Sequence, residues 1–110
     1  MEEKILTILN DISVPFAILG RNYLVEAVIY VLEKGRPYVT KEIYPHVAKR
    51  FNTTPARAER AIRHAIESAF SNAETNTIIK YFGTSRWQKE GKLTNSEFIF
   101  GLAEYLKLHK

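Results

Sequence analysis

Between Phe51 and Phe70 the chain sets Arg57, Arg60, Arg63 and His64, with Glu59 and Glu67 among them, at intervals that a helix would bring to one side. Groups of these types at this spacing can read a DNA duplex. An arginine fork binds guanine O6 and N7 together in the major groove, and a carboxylate accepts a hydrogen bond from cytosine N4. Neighbouring cations and hydroxyls can hold phosphates. The required helix is written in the same residues. At 100 degrees per residue, Ala58, Ala65, Ile66 and Ala69 fall within about 60 degrees of Ile62, and Phe70 lies near the edge of that stripe. Arg57, Arg60, His64 and Glu67 fall about 140 to 200 degrees away, flanked by Arg63 on one side and Glu59 on the other.

Thr54 is the expected N-cap, with Pro55 at the first helical position, where its missing N–H costs nothing. The helix expected from Pro55 to Phe70 starts sharply, with Arg57 and Arg60 in its first two turns. Ala58, Ala61, Ala65 and Ala69 let it approach its neighbours closely. Ahead of it, Ile43, Val47, Ala48 and Phe51 recur at helical spacing, and Asn52-Thr53-Thr54 supplies a polar turn. Pro45 lacks a donor and disfavours an α conformation at Tyr44, so a loose turn over residues 41–44 should lead into a regular helix from about Pro45. The pair has the form of a helix-turn-helix, whose second helix enters the major groove by its N-terminal turns. Arg57 and Arg60 are then the leading base readers. Glu59 either accepts from cytosine or braces Arg63 at i,i+4, and a mixed role is expected. Arg63 and His64 lie deeper along the helix, where it leaves the groove floor, and are assigned to phosphate together with Thr54 and Lys41.

The remaining elements must hold this pair. Ile5, Leu9 and Ile12 mark a first helix over residues 2–12, ended by Val14-Pro15. Gly20 should lie just before a second helix over 21–33 that buries Leu24, Ala27, Val28, Val31 and Leu32 and stops at Gly35 and Pro37. A short fifth helix over 75–82 presents Ile78, Ile79 and Phe82, and Gly83 ends it. The sixth opens on the capping box Thr94-Asn95-Ser96-Glu97 and buries Phe98, Leu102, Ala103 and Leu106. The expected fold is all-α, a six-helix bundle containing a helix-turn-helix, with residues 1–110 as one domain.

Charge is distributed to match. The net charge is +4, but residues 36–64 carry seven Lys or Arg against two acidic residues, and residues 80–92 carry four against one. The second block, Lys80, Arg86, Lys89 and Lys92, is either a solvated loop or a further phosphate grip, to which Arg86 and Lys89 are assigned. No cysteine is present, so thiolate metal sites and disulfides are excluded, which suits a cytoplasmic protein. No apolar run approaches the roughly 20 residues of a membrane helix, and Glu2-Glu3 is unlike a secretory signal. His46, His64 and His109 are far apart, without carboxylates at ligand spacing, and there is no Gly-rich phosphate loop. Neither an active site, a metal nor a cofactor is expected, and His46 and His109 read as surface residues.

The run Tyr44-Pro45-x-Val47-Ala48-Lys49-Arg50-Phe51-Asn52-Thr53-Thr54, followed by Arg57-x-Glu59-Arg60-Ala61-Ile62-Arg63-His64-Ala65-Ile66-Glu67, resembles the C-terminal DNA-binding effector domain of the sporulation master response regulator, the stage 0 sporulation protein A family. The resemblance continues at Val14-Pro15, at Gly20 and Tyr23-Leu24-x-Glu26-Ala27, at Phe82-Gly83, and at Thr94-Asn95-Ser96-Glu97-Phe98-Ile99. It implies a cytoplasmic transcription regulator that binds double-stranded DNA at elements resembling TGTCGAA. It also implies a homodimer on tandem sites and contact with the sigma factor of RNA polymerase. Arg57, Glu59, Arg60, Arg63 and His64 each coincide with the family's recognition-helix motif. Tyr105 and Leu108 on the last helix suit either a small dimer contact or plain surface. Asp11 is the only aspartate, too few for the acidic cluster of a phosphorylated receiver domain, so the reading is of an effector domain alone. Two other readings fit the sequence less well. A protein-interaction module that heterodimerises with a larger sporulation regulator could dispense with the arginines, which are retained. RNA binding would call for exposed aromatics beside cations, and only Trp87 next to Arg86 offers that.

Overall fold

The computed structural model describes residues 1–15, 18–84 and 91–109, and among these it contains six α-helices and no strand. They are α1 (Glu2–Asp11), α2 (Leu19–Lys34), α3 (Tyr44–Arg50), α4 (Pro55–Asn72), α5 (Thr75–Phe82) and α6 (Asn95–Leu108). The all-α class and the number of helices agree with the sequence. Tyr23, Leu24, Val25, Ala27, Val28 and Val31 are all buried, more than one stripe can hold, so α2 is enclosed from several sides. It packs most extensively on α4, then on α6, with α1 and α3 completing its surroundings. Phe98, Ile99 and Leu102 of α6 and Ile5 and Leu9 of α1 close the same core.

Gly20 departs from expectation. It lies inside the first turn of α2 rather than before it, pressed against α4. A Cβ built there would stand 2.0 Å from the Ala61 carbonyl oxygen and 3.0 Å from the Ala65 Cβ. The two helices can meet this closely only because glycine faces alanines, and that contact, not a turn, is what the glycine serves.

The approach to α3 also differs. Residues Val39–Ile43 form one π-helical turn, in which the Ile43 N–H reaches the Tyr38 carbonyl at 3.1 Å and the Tyr44 N–H reaches Val39. Tyr44 is fully α-helical, with φ −63° and ψ −43°, although Pro45 follows it. The wide turn accommodates the residue before proline, and burial of Tyr44 with a hydrogen bond at its hydroxyl holds it there. Two smaller corrections concern burial: Leu32, Ile79 and Phe82 are only partly buried against the core, while Tyr81 is buried. The Tyr81 hydroxyl donates to the Asp11 carboxylate, tying α5 to α1.

Candidate nucleic-acid interface

The connection between α3 and α4 is built by residue type. Asn52 takes a left-handed conformation, φ 54°, and the Thr53 N–H donates back to the Ala48 carbonyl at 2.9 Å, which stops α3. Thr54 is extended and its Oγ1 accepts from the Arg57 N–H at 3.2 Å, with Pro55 opening the helix. Helix, tight turn and helix follow as expected, and α4 runs two residues beyond Phe70.

Burial along α4 reproduces the predicted faces. Ala58, Ile62, Ala65, Ile66 and Ala69 are buried, whereas Arg57, Arg60, Arg63, His64 and Glu67 are exposed and Glu59 is half-buried. Arg57 and Arg60 make no side-chain hydrogen bond or ion pair with another described residue, so both guanidinium forks face solvent with their donors uncommitted. Arg63 differs. Its Nη1 lies 2.5 and 2.7 Å from the two Glu59 carboxylate oxygens, the i,i+4 brace anticipated from the sequence.

Of the other assigned residues, the described ones Lys41 and Thr54 lie near the start of the same helix. Lys41 is exposed on the π-helical turn, and its neighbour Thr40 lines a groove of about 390 Å³ with Pro55, Ala56, Glu59, Arg60 and Arg63. Thr54 is exposed at the helix start. Lys92, the last cation of the second basic block, donates to the Glu67 carboxylate at 2.6 Å and so brings that end of the block against α4. This bond holds the Glu67 carboxyl below its ordinary pKa. Lys80 is turned over the Tyr81 ring, 5.2 Å from its centre. Arg86, Lys89 and Trp87 lie outside the described residues.

Two side chains carry more than the periodicity suggested. His46 is not a free surface residue: its Nε2 is 2.7 Å from a Glu26 carboxylate oxygen, and its ring packs, tilted, against Tyr30, which joins α3 to α2. The spacing of 20 residues hid this pair from local reading. Asn95, which the sequence marks only as part of a capping box, donates from Nδ2 to the Tyr44 hydroxyl at 3.0 Å and to the Glu59 carbonyl at 3.1 Å. Burial, its largest influence, raises the Tyr44 pKa. On α6 the Tyr105 ring packs between Tyr81 and His109, leaving Leu108 as the exposed apolar residue of that helix.

An alanine-lined helix with two uncommitted arginines in its first turns, held by a tight turn to a preceding helix, is the geometry that enters a major groove. The family of the sporulation initiation factor Spo0A C-terminal domain matches residues 5–106 of the 110. The chain belongs to this family. The match to the Spo0A C-terminal domain reaches from α1 into α6 and includes every described residue of α4. The chain is accordingly a DNA-binding domain of sporulation transcription control, from a family of regulators and not of enzymes. Among the described residues no helix is long and apolar enough to cross a membrane.

Proposed function

We propose that this chain is a sequence-specific, duplex-reading effector domain that acts in the cytoplasm on elements resembling TGTCGAA. Arg57 and Arg60 each grip a guanine, and Glu59 divides its carboxylate between Arg63 and a cytosine amino group. Thr54, Lys41, Arg63, His64, Arg86 and Lys89 hold phosphates on both sides of the groove. The observation that carries this reading is the pair of exposed, unengaged guanidinium groups in the first two turns of α4. Tandem elements are occupied by two copies, and the bound domains present a surface to the sigma factor of RNA polymerase; both parts of the proposal rest on family membership.

Fluorescence anisotropy with labelled duplexes tests it. Four lasting cations assigned to phosphate give a log–log salt slope of about −3.6 or steeper. The TGTCGAA-like duplex should bind at least about a thousandfold more tightly than its scrambled counterpart. Equal affinity for both duplexes defeats the sequence-specific reading.

A further inference from the structure

Beyond the close approach of Ala61 to Gly20, the first two turns of α4 have little apolar side chain of their own to hold them. Ala58 is their only fully buried residue before Ile62, and one methyl group does little to fix how a helix is rotated about its axis. The two arginines that must reach base edges project from these turns. A directional contact lies beside them: the Asn95 amide, whose two hydrogens serve the Tyr44 hydroxyl and the Glu59 carbonyl at once. Glu59 lies between Arg57 and Arg60, and its carboxylate also holds Arg63.

Asn95 is itself rigidly mounted. It is the first residue of α6, directly after Thr94, whose hydroxyl accepts from the Glu97 N–H at 3.1 Å while the Thr94 N–H donates to the Glu97 carboxylate at 2.9 Å. Leu93 and Phe98 are buried on either side of this box and anchor it in the core. Resting on the DNA-reading function above, we infer that Asn95 is a positioning residue for base readout. Through the Glu59 carbonyl it sets the height and rotation of the first two turns of α4 against α6, and thereby where Arg57 and Arg60 reach, without touching DNA.

The test compares wild type with Asn95→Ala, Asn95→Asp and Tyr44→Phe by anisotropy on matched and scrambled duplexes. Thermal melts establish the temperature at which each variant is fully folded. Asn95→Ala should lower the matched-to-scrambled affinity ratio about tenfold while scrambled binding changes less than about twofold. Asp suits the start of a helix yet cannot donate to a carbonyl, so Asn95→Asp supports α6 and should lower the ratio equally, although its added charge weakens both duplexes. Tyr44→Phe keeps the bond to Glu59 and should stay within about threefold of the wild-type ratio. An unchanged ratio in both Asn95 variants overturns the inference, as does a loss confined to Tyr44→Phe. A wild-type protein without sequence preference would instead refute the DNA-reading proposal itself, which separates the two failures.

Discussion

Replacing Gly20 by alanine should destabilise this protein, although Gly→Ala inside a helix ordinarily stabilises by about 1 kcal/mol. The added Cβ would stand 2.0 Å from the Ala61 carbonyl oxygen and 2.6 Å from its carbon. That is about 1.4 Å short of ordinary van der Waals contact, and the obstructing atoms are backbone, which no rotamer change can move. Either α2 or α4 must shift. Overpacking of this sort costs about 1–3 kcal/mol, and the hydrogen-bonded helix on the far side gives it little relief, so a net loss of about 2 kcal/mol is expected. For a domain of this size the midpoint should fall by about 10 °C. Urea denaturation followed by circular dichroism measures the loss, with Gly101→Ala as the control. There, among the described residues, the new Cβ meets only the edge of the Phe82 ring at 3.0 Å, which can tilt away, and the cost should stay below about 1 kcal/mol. A neutral or stabilising Gly20→Ala would refute the claim that helix α4 is seated by small-residue contact.

Further outcomes follow from single side chains. Thr94→Ala removes the acceptor for the Glu97 N–H and should cost about 1 kcal/mol in urea denaturation, with Ser96→Ala near neutral; equal costs would contradict the cap. Tyr81 is pushed above its ordinary pKa, first by burial and then by its bond to Asp11. A group kept protonated by the fold contributes fully below its unfolded pKa of about 10 and less as pH rises through the folded value. The stability advantage of wild type over Tyr81→Phe should therefore shrink between about pH 9 and pH 11.5. An advantage that is constant across that range contradicts the assignment.

The α4 face was legible because it depends on local quantities. The 3.6-residue period, the Thr54 cap, Pro55 and the alanine stripe are all written within 20 residues, and burial along the helix follows them. The Thr94–Glu97 box and the bounds Thr75–Phe82 were equally local. What escaped depends on distant partners. Gly20 reads as a helix breaker until Ala61 is placed against it, and Tyr44 reads as non-helical until Asn95 and the π-helical turn secure it. The Glu26–His46 pair is invisible to any pattern spanning one helix. Tyr81 can be buried because its hydroxyl has Asp11 as a partner, a compensation that periodicity does not count. Among the site residues, Arg57 and Arg60 stand where the helical wheel set them, and Asn95 was missed because its spacing identified only a cap.

The central claim is that the outward arginines of α4 read bases, and a single-substitution scan of the bound duplex tests it most directly. Every base pair of the TGTCGAA-like element is varied in turn against wild type, Arg60→Ala and Lys41→Ala. Arg60→Ala should lose discrimination at one guanine, by about 1–3 kcal/mol, and keep the rest of the profile. Lys41→Ala should weaken every duplex alike and make the salt slope shallower by about one. If Arg60→Ala instead weakens all duplexes uniformly and leaves the base profile unchanged, α4 grips DNA without reading it, and the account is contradicted.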